Sequence, residues 1–501
     1  MNVQKQALNL SYLIVLGLIG YGIYGAGVRI NYYSDDFQWY FDPPPSNIFH
    51  YFWHKNPYEH QAYRPLQASF LIFVQRFWGL DTLPIHLTQI ALHVLLSWLV
   101  WQWMVNYGFT SLQAVLGSLF MLISQANAMA VLSVDTISQV SGVLFGCMSF
   151  WLLHYSLGVT EDFDKQSQRA TNQKYYIFSI FAFALALLSK ETSIAFFGMA
   201  LCIILYKNAK MNYRVSWLRE LIVEITPYLI ILAVYFGIRS IIGLRGPTFN
   251  SSRSGLHFGL NIVQNFCMFI FQAFLPFSSV DAFIALKNRE VFILLMIIIS
   301  WSIFIGVVAF GLLHIKRYRL LSLLCICAVI GLFPAVLMNH ISELYLYNSM
   351  PFFSCLVGAG VGKLITLSKQ NRISWSIIAV SVVLLLTTNV VAIQSKAQLM
   401  NANGERSSLL LSRIMPYLEK ISKDDRLLLL NPTPDGVEYS VFLMSGFNVL
   451  DEGLNRISQL SRRANLRIKI IPQSQIELKQ LPHDALILTL DRETGDVIRI
   501  Q

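Results

Sequence analysis

The sequence predicts an α-helical polytopic membrane protein, with about eleven transmembrane helices and a small C-terminal α/β domain outside the membrane. Three observations predict it. Hydrophobic residues make up 55% of the 501 positions and charged residues only 13%, against about 25% charged in soluble domains. Apolar runs long enough to span recur from residue 8 to residue 394, where a span needs about 20 residues. From residue 395 onward, about a fifth of the chain holds 14 of the 38 Lys and Arg and 13 of the 28 Asp and Glu. This composition excludes a water-soluble globular protein, a disordered chain and a disulfide scaffold. All six cysteines lie in apolar runs, which argues against disulfides and against a cysteine-ligated zinc. The net charge of +10 reflects basic loops beside membrane helices. No basic stripe marks a folded surface, so nucleic acid is not expected as a partner.

The first apolar run, residues 8–27, is longer than the ~7–15 residues of a signal-peptide core and is read as a retained first span. Further spans are expected near 84–106, 112–132, 136–157, 175–189, 191–206, 221–242, 291–314, 319–337, 346–366 and 375–394. The segment from Gly259 to Pro276 is apolar but broken by Asn261, Gln264, Asn265 and Gln272. If it spanned, the basic loops 315–319 and 363–372 would face outside. The positive-inside rule therefore favours eleven spans, with this segment at the interface. The N-terminus is then cytoplasmic and the C-terminal domain periplasmic or extracellular. The expected division is a transmembrane domain, 1–394, with a long outer loop, 28–83, and a soluble domain, 395–501. In the tail, the short apolar runs Leu427–Leu430, Ile468–Ile471, Ala485–Leu490 and Val497–Ile500 read as strands. Asp491 to Gly495 reads as the hairpin turn between the last two.

A charged group at membrane depth is costly, so each one is a functional candidate. Asp35 and Asp36 lie side by side among aromatics just outside the first span. Mutual repulsion and partial desolvation favour the protonated form of one of them, which suits a general base; a solvated helix cap is the other reading. Tyr63-Arg64-Pro65-Leu66 follows in the same loop. The apolar stretch from Leu66 to Gly79 is too short to span and should lie at the interface. Arg64 there would meet a phosphate, whether of a bound ligand or of ordinary lipid.

Ser189-Lys190-Glu191 interrupts an apolar stretch at an outer turn and reads either as a functional pair or as a simple ion-paired turn. Arg239 ends a span on the outer side, followed by Arg245 and Arg253, against the positive-inside bias; a phosphate in the outer leaflet is one reason for it. Asn339 to Tyr347 places Glu343, Tyr345 and Tyr347 at i, i+2 and i+4 at the outer end of a span. Asp135 either assists the acidic pair or caps a helix. His86 and His93, seven apart, read as core or interfacial histidines rather than as a metal pair.

Taken in order, outer Asp35-Asp36, Tyr63-Arg64-Pro65-Leu66, Ser189-Lys190-Glu191, outer Arg239 and Glu343-Leu344-Tyr345-Leu346-Tyr347 resemble the GT-C class of integral-membrane glycosyltransferases. Within it they look like the protein O-mannosyltransferase-like branch. The resemblance covers residues 1–394 and rests on the ordered set. It departs at Gln125-Ala126-Asn127-Ala128-Met129, where related members carry His and Glu, and at Leu344, where the family has Arg. The tail has no helical repeat of about 34 residues and so is not a TPR array.

The resemblance implies a sugar delivered from a polyprenyl or dolichyl phosphate to an acceptor hydroxyl at the outer face. Asp35 or Asp36 would be the catalytic base of an inverting displacement. Arg239, then Lys190 and Arg64, would meet the donor phosphate. Tyr63, Glu191, Glu343, Tyr345, Tyr347 and Asp135 would support them. No metal ligands are assigned; a divalent metal is left open, and the departure at Gln125 to Met129 weakens the case for one. The expected partners are the polyprenyl-phosphate sugar, a glycan, lipid or protein acceptor, and membrane lipids. The location expected is a bacterial inner membrane, from the absence of outer cysteines and of an ER-retrieval tail. The alternatives are another outer-face enzyme (a glycan ligase, polymerase or acyltransferase), a secondary transporter, and an inactive assembly scaffold.

Overall fold

The computed structural model describes residues 3–39, 41, 44–56, 62–158, 169–210, 217–244, 256–338, 340–368, 372–418, 426–431, 438–450, 467–473, 485–491 and 496–500. Helices follow the apolar runs in chain order. They are α1 (Val3–Tyr24), α2 (Pro65–Trp78), α3 (Leu83–Asn106), α4 (Ser111–Ile123), α5 (Ala128–Leu132), α6 (Ile137–Ser156), α7 (Arg169–Ser189) and α8 (Ala195–Lys210). They continue as α9 (Trp217–Ile241), α10 (Asn261–Ala273), α11 (Ser279–Lys287), α12 (Val291–Leu313), α13 (Tyr318–Val336), α14 (Glu343–Leu346), α15 (Met350–Ser368) and α16 (Arg372–Leu418).

Each of the eleven apolar runs expected to span is helical. Among the described residues, eight helices are long and apolar enough to cross a membrane, or nine if α4 and the segment Gln125–Leu132, bent by 45°, make one broken span. The protein is thus an integral membrane protein of polytopic helical fold. The pair flanking Lys190 is shorter, because Lys190 adopts an extended conformation (φ −151°, ψ 132°) that ends α7 before a helical turn, Glu191–Ile194, leads into α8. The segment broken by Asn and Gln forms α10, a 13-residue helix, which is too short to cross. Asn265 of α10 donates to the carbonyls of Val336 and Met338, at 3.1 and 2.7 Å. The Asn265 amide thus holds the end of α13 instead of facing hydrocarbon.

The bundle closes through glycines. A methyl group on Gly358 of α15 would lie 2.4 Å from the amide nitrogen of Gly117 in α4, and one on Gly311 of α12 would lie 2.0 Å from the Gly360 carbonyl oxygen. Small residues at such crossings let helix backbones touch, which is how membrane helices associate without a hydrophobic driving force.

Helix α16 has 47 residues, about 70 Å at ~1.5 Å per residue. That is more than twice the ~30 Å hydrocarbon layer, so one helix carries the chain from the bundle into the tail. The tail sheet has the order β2-β1-β3-β4, with β1 (Arg426–Asn431) parallel to both β2 (Arg467–Pro472) and β3 (Ala485–Leu490) and β3 antiparallel to β4 (Val497–Arg499). Five consecutive buried residues in β1 are the mark of a central strand covered on both faces. The residues expected to turn between β3 and β4, 492–495, lie outside the described residues; the Asp491 amide bonds the Asp496 carbonyl (2.8 Å). The tail is not packed on its own. Leu410 and Ile414 of α16, Leu427 and Leu429 of β1 and Leu488 of β3 share one hydrophobic cluster with Tyr32, Phe37, Trp39 and Leu71 of the first long loop.

Candidate functional site

The acidic pair sits on a tight helical turn, Ser34–Trp39. Ser34 enters that turn at φ +50°, a left-handed conformation that non-glycine residues adopt only when the surroundings hold them there. The turn separates the two carboxylates: Asp35 is exposed, whereas Asp36 is 1% exposed. Asp36 is held from three sides. Its Oδ1 accepts from the Ser133 hydroxyl (3.0 Å) and the Asp135 amide (2.9 Å), and its Oδ2 from the Tyr33 amide (3.4 Å). Burial, with the neighbouring Asp135 carboxyl adding to it, raises Asp36 well above the usual carboxylate range, although these hydrogen bonds pull the other way.

The segment 133–136 that receives Asp36 is itself pinned. Gln67 of α2 donates to the Asp135 carbonyl and Gln89 of α3 to the Ser133 carbonyl, each at 2.5 Å. Asp135 is half-buried, and its Oδ1 lies 2.8 Å from the Ser133 hydroxyl, whose one hydrogen is shared between the two aspartates. Asp135 therefore lies beside Asp36.

Arg64 makes a two-pronged contact with Glu191, Nε to Oε2 at 2.9 Å and Nη2 to Oε1 at 2.6 Å. The pair joins the first loop to the break between α7 and α8. Burial alone would raise the Glu191 carboxyl, but the charges of Arg64 and Lys190 outweigh it and hold the group below the usual range. Lys190 is buried beside this pair. Tyr63 donates to the Phe52 carbonyl (3.0 Å), and its own carbonyl accepts from Tyr235 of α9 (3.2 Å). Burial pushes the Tyr63 phenol up to about 12. Arg239 lies one turn beyond Tyr235 and acts electrostatically on it. Arg245, Arg253 and Asn339 lie outside the described residues.

Tyr345 lies within electrostatic reach of several of these groups. Burial raises its phenol, and the carboxylates of Glu191, Asp35 and Asp135 raise it further, with Arg64 opposing. All four charged groups are therefore within electrostatic reach of one tyrosine. The ring of His340 packs 5.8 Å away.

Glu343 and Tyr347, two residues to either side, enter separate buried networks. Glu343 forms an ion pair with Lys396 (2.7 and 2.9 Å) and accepts from the Ser279 hydroxyl; Lys396 also donates to Gln125 Oε1 at 2.5 Å. The Tyr347 hydroxyl meets His93 Nδ1 at 2.7 Å, while His93 Nε2 meets the Leu122 carbonyl at 3.1 Å. Because that carbonyl can only accept, Nε2 carries the proton and Nδ1 accepts from Tyr347. His86 Nε2 likewise meets the Ile30 carbonyl at 3.0 Å, so both histidines are core residues.

Sequence reasoning missed Lys396, Ser133, Gln125 and Ser279. Lys396 follows the last apolar run and looks like the start of the polar tail. Its nearness to Glu343 depends on how α16 packs, which no local pattern encodes. Among the described residues, no group of three or more His, Cys, Asp or Glu side chains could hold a metal.

No family model matches the sequence, and no curated protein sequence does either. The fold does match solved structures. The crystal structure of ArnT from Cupriavidus metallidurans in the apo state aligns with 96% of this chain and 93% of its own, at a TM-score of 0.54 and 11% identity. The same protein bound to undecaprenyl phosphate aligns with 98% and 94%, at a TM-score of 0.51 and 12% identity. The match shows the fold: this chain shares the architecture of ArnT.

Proposed function

We propose that this protein is a glycosyltransferase that moves a sugar from a polyprenyl phosphate to an acceptor hydroxyl at the outer face of the membrane. The observation that carries the reading is the placing of exposed Asp35 on a turn whose Asp36 is bonded to the Asp135 amide, in a loop that the Arg64–Glu191 pair ties to the break between α7 and α8. The fold supports it, since ArnT, which shares that fold over nearly its whole length, has been crystallised with undecaprenyl phosphate.

In this reading Asp35 is the base. It is the exposed member of the pair, whereas Asp36 is 1% exposed. The acceptor oxygen attacks the anomeric carbon and its proton passes to the Asp35 carboxylate. The bond from that carbon to the phosphate oxygen breaks, and the lipid phosphate leaves with the electron pair. One displacement inverts the anomeric centre. Asp36 fixes the turn on segment 133–136 and so aims its neighbour. Arg239 and Lys190 are the cations proposed to meet the developing phosphate charge, where losing one such partner typically costs about 3 kcal/mol. Arg64 is engaged by Glu191, and the pair forms a wall of the site.

The same reading takes residues 1–394 as the catalytic transmembrane unit and 395–501 as a tail on the outer face, with the N-terminus cytoplasmic and a bacterial inner membrane as the location. The acceptor is a glycan, lipid or protein hydroxyl.

The test is a donor panel on purified protein: radiolabelled sugars on polyprenyl phosphate, on polyprenyl diphosphate and on nucleotides, with membrane extract as acceptor source. Transfer from a lipid monophosphate alone is expected. Transfer only from nucleotide sugars, or proteoliposome flux of an uncoupled solute with no transfer, would overturn the reading.

A further inference from the structure

One tail segment touches the acid-bearing loop directly. Residues Tyr439 to Met444 fold back on themselves, with the Tyr439 amide bonded to the Leu443 carbonyl (3.0 Å) and the Leu443 amide to the Tyr439 carbonyl (3.1 Å). Helix α16 grips this turn. Asn403 donates to the carbonyls of Val441 (2.9 Å) and Phe442 (3.0 Å), and Arg406 to that of Met444 (2.7 Å). The Val441 carbonyl also accepts from the Tyr33 hydroxyl at 3.2 Å. Tyr33 is the residue whose amide bonds Asp36 and whose carbonyl receives the Asp36 amide (3.1 Å). On its other side the turn presents Phe442, fully buried, with its ring centre 5.0 Å from the Lys396 ammonium that pairs with Glu343.

We propose that the turn Tyr439–Met444 is a positioning element of the catalytic site, acting through Tyr33 on the Asp35-Asp36 turn, with Asn403 as the positioning residue that seats it. The proposal rests on the glycosyltransferase reading for its kinetic consequence. Three features argue for positioning over simple packing. The turn bonds to a residue adjacent in sequence to the strained Ser34. Helix α16 comes so close to the loop that a methyl group on Gly404 would lie 2.9 Å from the Asn31 amide nitrogen. And side-chain amide bonds to two successive carbonyls fix the orientation of a backbone segment, which apolar contact alone does not. The tail thereby helps build the site, beyond whatever it does for an acceptor.

The experiment uses full-length protein in nanodiscs and compares Asn403→Ala with the milder Tyr33→Phe, which removes only the hydroxyl that meets Val441. Two readouts are taken: transfer kinetics, and amide hydrogen exchange of the segment 31–39. Asn403→Ala is expected to lower kcat about tenfold and Tyr33→Phe about threefold, with donor KM within twofold of wild type. Exchange in 31–39 is expected to quicken at least tenfold in Asn403→Ala, while α3 and α6 exchange as in wild type. Unchanged exchange in 31–39 would overturn the proposal, as would faster exchange throughout the bundle, which is general destabilisation. If the wild type moves sugar from no lipid donor, the functional reading falls, and the exchange measurement still decides the positioning inference.

Discussion

Arg64 and Glu191 are 127 residues apart in sequence and meet in a bidentate contact, 2.9 and 2.6 Å, with side chains only 11% and 29% exposed. The contact ties the first long loop to the break between α7 and α8. It also changes the role assigned to each partner. A phosphate would have to compete with a carboxylate for Arg64, and Glu191 is paired across space more than with its neighbour Lys190. The guanidinium fork matches the carboxylate in a way a lysine ammonium cannot. Arg64→Lys should therefore lower stability by about 1.5–3 kcal/mol, read as a fall in the thermal midpoint at pH 7. A midpoint unchanged by Arg64→Lys would remove the pair from the structural framework.

Asp36 should titrate in the opposite sense to a salt-bridged acid. Its folded-state pKa is raised, by burial first and by Asp135 second. The folded protein then retains a proton that the unfolded chain releases near pH ~4. The stability this proton confers is full below that pH and is lost as pH rises through the folded-state pKa. Asp36→Asn removes the titration. The wild-type thermal midpoint is expected to fall relative to that of Asp36→Asn as pH rises from 4, and parallel curves would contradict the assignment.

The Lys396–Glu343 pair is fully buried, with side chains 0% and 2% exposed. Removing one charge strands the other in the interior, at a cost of about 3–5 kcal/mol, whereas replacing both with apolar groups is often nearly neutral. Lys396→Met alone should therefore destabilise far more than Lys396→Met combined with Glu343→Leu. Thermal unfolding of the three proteins tests this, and additive losses would show that the pair is not coupled.

Much of the fold was legible because membrane helices announce themselves by length and apolarity. Every run expected to span is helical, and the four tail runs are the four strands. The site was legible in part. Asp35, Asp135, Arg64, Glu191 and Tyr345 came from residue type and order, and the structure pairs Arg64 with Glu191 and sets Asp135 against the Asp35-Asp36 turn. The sequence could not separate Asp35 from Asp36, because adjacent residues diverge only once the turn at Ser34 is known. The same spacing argument could not show that Tyr345 faces the charged cluster while Glu343 and Tyr347 face the bundle. Lys396 was hidden because a lysine after an apolar run looks like any snorkelling end-of-helix residue. The glycine contacts were hidden too, since a glycine in a membrane helix does not say which partner it meets.

Gly358 shows this last point in a testable form. Any side chain there meets the α4 backbone at Gly117 within 2.5 Å, and backbone, unlike a flexible side chain, cannot swing away. Gly358→Ala should cost about 1–3 kcal/mol through overpacking, whereas Gly306→Ala, with nothing within 4 Å, should cost almost nothing. Equal thermal midpoints for the two variants would mean that α4 and α15 do not cross there.

The most direct measurement is the rate of sugar transfer from a radiolabelled polyprenyl-phosphate donor by wild type, Asp35→Asn and Asp36→Asn, each first shown to be folded. With Asp35 as base, Asp35→Asn should transfer at less than about a hundredth of the wild-type rate, in line with the ~10²–10⁴-fold contribution of a positioned base. Asp36→Asn should keep measurable activity, because Asn can still accept from Ser133 and from the Asp135 amide. A folded Asp35→Asn protein with wild-type transfer would contradict the account at its centre.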